Sequence, residues 1–464
     1  MVDQIHAQEI NFKRAPSKTP FESENLDKLL TKVIETVQDE TPVYIYFQSE
    51  LEKSVGLLRQ GFGNDTNIRF AMKSCSNVSI LKTFERLGLH FDCSSIYEVE
   101  RVLRAGINPT RIELVTQEIT PKSLAYLEKL EGHDKIKIVA SSKYQLESLA
   151  HSKFRSQVEG IRINPGQGSG ASKKTIVSGP EYSFGIWFEQ IDEILELSES
   201  LGIKIKKLHS HIGAGTDPKN WLHIADVQLG FIKDKFKDVE VLNIGGGFKI
   251  ARTEKDLETN IELLGQYTVN KINEFNQQNQ RNLKLEIEPG TFLVANSGIL
   301  LCEIVDMVST KNQSHEEPGF QFVKVNSGLN DITRPSLYGA QHQIKIVKLG
   351  QDQSSQKDLP VVQCVVVGHC CESGDLLSCK SGEGETPEEI PLLLPSIGDK
   401  LVIKGTGAYC SSMSLKNYNS FPEIAEVLVV GDIDIEDFES VQIKVIRKRQ
   451  DTRDITKNEI DIYP

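Results

Sequence analysis

Eight short β-rich runs alternating with amphipathic stretches constrain this chain more than any other feature. The runs are Ile68–Ser74, Leu89–Ser95, Arg111–Gln117, Lys135–Ser141, Gly160–Pro165, Ile203–Gly213, Val239–Gly247 and Leu283–Gly290. Between them, Val78–Leu87, Tyr97–Ala105, Gln190–Leu201 and Thr259–Phe275 carry apolar residues at helical spacing. Strand alternating with helix implies parallel neighbours joined by right-handed crossovers. A doubly wound sheet usually needs fewer repeats, whereas eight close a ring. The expected fold class is therefore α/β, a (β/α)8 TIM-like barrel over residues 41–298. After Ile299 the pattern changes to short β-branched runs, among them Phe320–Asn326, His342–Leu349, Val361–Val367, Lys400–Lys404 and Glu426–Val430. Residues 299–464 are expected to form a C-terminal all-β domain, with 1–40 as an N-terminal segment packing with it.

Bulk properties exclude some partners. Lys and Arg number 53 against 65 Asp and Glu, a net charge of -12 that repels phosphate backbones and anionic lipid. Neither nucleic acid nor a membrane is expected as a partner, and a zwitterionic or cationic small molecule suits the charge better. No apolar run approaches the roughly 20 residues of a membrane span. Met1–Lys18 carries both charge signs and lacks the apolar core of a secretory leader. The eight cysteines are scattered and include no CxxC pair, so reduced thiols and a cytoplasmic location are expected, with no metal.

Barrel enzymes place their chemistry at the C-terminal ends of the strands. Lys73, Asp92, Arg162, His211, Gly245-Gly246-Gly247 and Glu288 all fall at or near such ends. Each has an ordinary reading: a strand-end lysine reaching solvent, a glycine turn, a capped carboxylate. Their shared placement favours function. A lysine after an apolar run suits a Schiff base, which needs burial. Glycines after the seventh strand allow backbone N–H groups to approach a phosphate. Glu288 suits a protonated pyridine nitrogen, and the three together describe a pocket for pyridoxal 5'-phosphate. By contrast, Gly166-Gln-Gly-Ser-Gly170 lacks the context of a nucleotide loop. The rival is a metal-dependent barrel hydrolase using His209-Ser-His211, but that class places its HxH on the first strand rather than the sixth.

The chain resembles the alanine-racemase-like barrel decarboxylases, and within them the diaminopimelate decarboxylase family. The likeness runs from about Thr41 to Val430. It rests on Thr41-Pro-Val-Tyr-Ile-Tyr46, Phe70-Ala-Met-Lys-Ser-Cys-Ser-Asn77, Arg162-Ile-Asn-Pro165, His209-Ser-His-Ile-Gly213 and Asn243-Ile-Gly-Gly-Gly-Phe248. Glu288-Pro-Gly290, Arg334-Pro-Ser-Leu-Tyr338, Cys371-Glu-Ser-Gly-Asp375, Gly407-Ala-Tyr409 and Asn417-Tyr-Asn-Ser420 extend it. The resemblance implies that Lys73 carries pyridoxal phosphate, that His211 stacks on its ring and that Cys371 joins them in catalysis. It gives cofactor contacts to Asp92, Arg162, Gly245–Gly247, Glu288, Pro289, Gly290, Thr291 and Tyr409, and substrate contacts to Arg334, Tyr338, Glu372 and Tyr409. It implies a homodimer in which Cys371 and Glu372 serve the neighbouring subunit's site.

Glu372 sets the chain apart from ornithine decarboxylases, which carry Asp after that Cys. Three positions depart from the pattern: Thr291 replaces the Arg of Glu-Pro-Gly-Arg, Phe421 replaces the Arg after Asn-Tyr-Asn-Ser, and Ala214 stands where a Ser is frequent. Thr offers one hydroxyl where Arg offers a charged fork. Lys416 is the sequence's candidate to fill that gap. The implied reaction is decarboxylation of meso-2,6-diaminopimelate to L-lysine, the alternative being decarboxylation of ornithine, lysine or arginine.

Overall fold

The computed structural model describes residues 11–38, 40–170, 173–215, 217–311, 319–350, 359–435 and 437–462. The first ten residues, part of the leader reading above, lie outside them. The chain divides into two compact units. One comprises Met1–Ala15, Glu52–Ile250 and Leu257–Leu293; the other comprises Pro16–Leu51, Ala251–Asp256 and Val294–Pro464.

The first unit is the expected closed barrel. Its strands are β1 (Asn67–Ala71), β2 (His90–Cys93), β3 (Ile112–Leu114), β4 (Lys137–Ala140), β5 (Val158–Asn164), β6 (Lys207–His209), β7 (Val241–Asn243) and β8 (Lys284–Ile287). Each pairs in parallel with the next, and β8 returns to β1 through Glu286↔Asn67 and Ile287↔Ile68. Several helices start where the sequence offers a cap. Asn77, Ser95, Thr120, Ser142 and Asn260 each accept an amide N–H from the first helical turn. One apolar face of each helix then packs down, as Ile80, Leu81 and Phe84 do in Val78–Arg86.

The barrel interior contains a layer of buried charge. Arg69 of β1 clasps Glu286 of β8 through Nε to Oε2 at 3.1 Å and Nη2 to Oε1 at 3.0 Å. Lys207 of β6 binds the same Glu286 at 2.7 Å and also Glu113 of β3. Two cations thus face two carboxylates. Burial alone would raise the pKa of Glu286, but Arg69 and Lys207 bring it well below the carboxylate range.

The second unit is built on a mainly antiparallel sheet. Its strand order is Ile390–Leu393, Val361–Val367, Gln321–Val325, Gly298–Ser309, Val43–Phe47, Ala425–Val430 and Gln442–Arg447. Lys400–Lys404 joins Gly298–Ser309 to Ile344–Val347. Val43–Phe47, placed with the barrel by the sequence reading, is here a strand, antiparallel to Gly298–Leu301 and parallel to Ala425–Val429. All five of its residues are buried, so its sequence shows no alternation to reveal its sheet. Helix Leu26–Thr36 lays Leu26, Leu29, Leu30, Val33 and Ile34 onto this sheet's core. Of the N-terminal segment, residues 16–38 thus join the β-unit, while Lys13–Arg14 pairs with Glu258–Thr259 of the barrel unit.

Candidate active site

In the barrel unit, Lys73 follows β1 in a short 3₁₀ turn, Met72–Ser74. Its Nζ donates to Asp92 Oδ2 at 3.1 Å and to Ser94 Oγ at 3.2 Å. The lysine side chain keeps 38% exposure, so its burial is partial rather than complete, while Asp92 beside it is 4% exposed. A carboxylate rather than an apolar pocket therefore sets the lysine's surroundings.

Glu288, just after β8, is buried and heavily engaged. His209 Nε2 lies 3.0 Å from its Oε2, and Asn243 Nδ2 donates to its Oε1 at 2.7 Å. Burial would raise its pKa, but His209, Lys73 and His211 hold it well below the usual carboxylate range. It is ionised at neutral pH. His211 differs from its neighbour: its Nδ1 accepts the Gly246 N–H at 3.2 Å, which leaves the proton of a neutral ring on Nε2. Burial, then Arg162 and Lys73, push its pKa well below 6.5, so the ring stays neutral. The two histidines of the HxH thus have separate partners. Among the described residues, no group of three or more His, Cys, Asp or Glu is placed to hold a metal ion.

Gly245–Gly247 is tightly constrained. A Cβ on Gly246 would lie 1.9 Å from Glu288 O, and one on Gly247 would lie 1.9 Å from Gly213 O. Gly245 and Gly247 also take φ of +72° and +91°. Trp221 Nε1 fixes the segment by donating to Gly246 O at 3.0 Å. Pro289 O accepts the Ala71 N–H, and a Cβ on Gly290 would meet Ser74 Oγ at 3.1 Å, which brings the Glu288–Gly290 segment against the turn that bears Lys73. Thr291 opens the next helical turn. Arg162 of β5 is buried with Nε unpartnered and its guanidinium 5.4 Å from the Phe184 ring. Burial lowers its pKa, against the opposing charges of Glu288 and Asp92.

The barrel unit therefore brings together Lys73, Asp92, Arg162, His211, Gly245–Gly247 and Glu288–Gly290. It offers an amine, an ionised acid, a neutral imidazole, a glycine cradle and an arginine with an unspent donor. That set fits a phosphorylated, protonated heteroaromatic aldehyde. Sequence reasoning missed Asn243, Ser94 and Trp221, and saw His209 only as a rival metal ligand. His209 had a signal: it stands two residues before His211 in a β-rich run, the spacing at which an extended chain repeats a face.

The second unit holds the remaining candidates. Arg334 and Tyr338 bound a helical turn, with the guanidinium 5.9 Å from the Tyr338 ring. Tyr409 takes a left-handed φ of 57°. Cys371 and Glu372 are exposed on a loop fastened by Asp375, whose carboxylate accepts the Cys370 N–H at 2.8 Å and the Leu329 N–H at 2.6 Å. Gly328 and Gly368 leave room for that carboxylate, which a Cβ on either would strike. Asn419 Oδ1 accepts the Cys371 N–H at 2.9 Å. Phe421, where the pattern has Arg, stacks on His369 with centroids 3.6 Å apart and planes 3° from parallel. All eight cysteines are free, and only Cys371 is exposed.

Residues 48–295 match the family model described as pyridoxal-dependent decarboxylase, pyridoxal binding domain. The chain belongs to the pyridoxal-dependent decarboxylases. It is 31% identical over 427 residues to diaminopimelate decarboxylase of Escherichia coli K12, covering 90% of this chain and 94% of that one. It is 33% identical to the diaminopimelate decarboxylase of Buchnera aphidicola subsp. Acyrthosiphon pisum, over 89% of this chain and 92% of the relative. Among solved structures, a crystal structure of diaminopimelate decarboxylase aligns with a TM-score of 0.82 at 28% identity, covering 96% of this chain and all of that one. The Helicobacter pylori diaminopimelate decarboxylase complexed with L-lysine gives 0.74 at 25%, over 93% of this chain and 99% of that one. Among the described residues, no helix is long and apolar enough to cross a membrane.

Proposed function

We propose that this chain decarboxylates meso-2,6-diaminopimelate to L-lysine and CO2 with pyridoxal 5'-phosphate. The observation that carries the reading is Lys73 hydrogen-bonded to Asp92 on a barrel that also buries an ionised Glu288, in a chain similar to diaminopimelate decarboxylases over nine-tenths of its length. Lys73 would hold the cofactor covalently. Gly245–Gly247 and Gly290 would hold its phosphate, His211 and Glu288 its ring, with Asp92, Arg162, Pro289 and Thr291 around them. When bound, the cofactor supplies an electron sink for the charge left on the substrate α-carbon as CO2 departs.

The chain's own groups do the rest. Glu288, which despite its burial is kept ionised by His209, Lys73 and His211, would stabilise a proton on the cofactor's ring nitrogen. Asp92 holds Lys73 Nζ in place when that amine is free of the cofactor. Neutral His211 offers an uncharged face on which a ring can stack, and Cys371 Sγ carries a proton to return to the α-carbon. On the family pattern, Tyr409 is a further cofactor and substrate contact, and Arg334, Tyr338 and Glu372 contact substrate. The test is product analysis over diaminopimelate, lysine, ornithine and arginine in both configurations. L-lysine from the meso isomer is expected; an amine from ornithine, lysine or arginine, with no use of diaminopimelate, sinks the substrate assignment and leaves the enzyme class standing.

Cys371 and Glu372 project from the second unit on a fastened loop, which suits their donation to a neighbouring subunit in a homodimer. Lys73→Ala and Cys371→Ala would then each remove half of a site made by two chains. Mixed and allowed to re-equilibrate, the two inactive variants are expected to regain up to about a quarter of parent activity, since heterodimers hold one intact site of two. Subunit exchange shown by mass labelling, with no recovered activity, counts against shared sites.

A further inference from the structure

The loss of the family arginine at position 291 leaves a substrate with a carboxylate at each end one positive partner short. Lys416 does not fill the gap, because its Nζ is paired with Glu423 at 2.8 Å. Within the second unit, however, an arginine outside every motif above lies beside Arg334.

Arg252 is 8% exposed. Its Nε donates to Gly405 O at 3.0 Å, and its backbone carbonyl accepts the Gln343 N–H at 3.2 Å. Gly405 takes φ of +73°, and a Cβ there would lie 2.8 Å from Arg252 Cγ, so the arginine stem lies flat on that glycine. Arg334 is tied to the same stretch of chain. Its Nε lies 3.4 Å from His342 Nε2, and His342 Nδ1 lies 2.7 Å from Lys404 O. A carbonyl can only accept, so the imidazole proton is on Nδ1 and Nε2 is the acceptor for Arg334. Burial, then Arg334 and Arg252, push the His342 pKa well below 6.5, which keeps that ring neutral against Arg334.

The pair has unspent capacity. Arg252 Nη2 is buried without a hydrogen-bond partner. Among the described residues, neither Arg252 nor Arg334 has a carboxylate within ion-pair distance. Asp256, the acidic group that acts on Arg252, directs Oδ2 at the backbone N–H groups of Arg252 and Thr253 instead. Burial, then Arg334, pushes the Arg252 pKa down to about 9. A buried guanidinium with a free donor and a second cation beside it is costly unless an anion arrives.

We infer that Arg252 and Arg334 of the second unit together receive the distal carboxylate of the substrate. The inference rests on the diaminopimelate reading above. A planar fork and its free Nη2 suit a carboxylate, and a chain ending in an ammonium would be repelled.

The experiment compares steady-state constants for meso-diaminopimelate in the parent, Arg252→Met and Arg252→Lys, with cofactor absorbance and melting temperature followed alongside. Arg252→Met should raise KM roughly 10- to 100-fold with kcat within about threefold, and Arg252→Lys should fall between it and the parent. A merely structural arginine would lower melting temperature or kcat without that KM split. Should Arg252→Met fail to fold, Arg252→Lys decides: a raised KM at parent kcat supports the pair, and an unmoved KM overturns it. A parent that uses diaminopimelate, with KM unmoved in the folded variants, overturns the arginine pair alone. A parent that does not use diaminopimelate overturns the substrate reading and the pair together.

Discussion

Lys73→Ala should abolish the visible absorbance of bound pyridoxal phosphate and cut turnover by on the order of 10^3-fold or more. Lys73 is the lysine whose Nζ meets a buried carboxylate, Asp92, beside the rim that also carries Glu288 and the glycine cradle. Alanine removes the covalent anchor and the proton at Nζ but leaves the barrel intact, because Lys73 lies beyond the last residue of β1. A melting temperature near that of the parent would confirm that only chemistry was lost. Borohydride reduction followed by peptide mapping gives the decisive comparison. A cofactor adduct in the parent at a lysine other than Lys73, or retained absorbance in the variant, would remove the assignment.

Lys207→Met should destabilise the protein by about 3–5 kcal/mol, a loss large enough to unfold many domains. Lys207 is 1% exposed and holds both Glu113 and Glu286, and methionine would leave two carboxylates facing one cation inside the barrel. Neutralising one acid as well should reverse much of this, so Lys207→Met with Glu113→Gln should recover at least half of the lost stability. A double-mutant cycle by urea unfolding isolates that coupling. If the single variant unfolds within about 1 kcal/mol of the parent, the charge layer is not the constraint claimed for it.

The barrel was legible because its signals are local. Each strand is a short β-rich run, and Asn77, Ser95, Thr120, Ser142 and Asn260 mark helix starts. Val43–Phe47 was misplaced because five consecutive buried residues followed by a helix look the same whether the strand pairs in a barrel or in another sheet. Gly298–Ser309, a strand of twelve residues, was hidden by the domain boundary drawn through its start. In the site, Lys73, Glu288 and the three glycines could be read from their places at strand ends. Asn243 could not, since its value lies in joining Glu288 to the Gly245 N–H across two strands. Arg252 was still less accessible: its partners, Gly405 and the Arg334–His342 pair, are remote in sequence and meet it only once the second unit folds.

The loop fastened by Asp375 bears on how fast, and how faithfully, two copies of the chain could meet. Two amide N–H groups from separate stretches end on that one carboxylate, and Asn419 takes a third from Cys371. The projecting Cys371 and Glu372 are therefore shaped before any encounter. In the proposed homodimer a receiving surface would meet a finished plug and need not wait for a wandering segment to find its form. Little conformational freedom would remain to be surrendered at the moment of contact, so more of the contact energy would be left to hold the copies together.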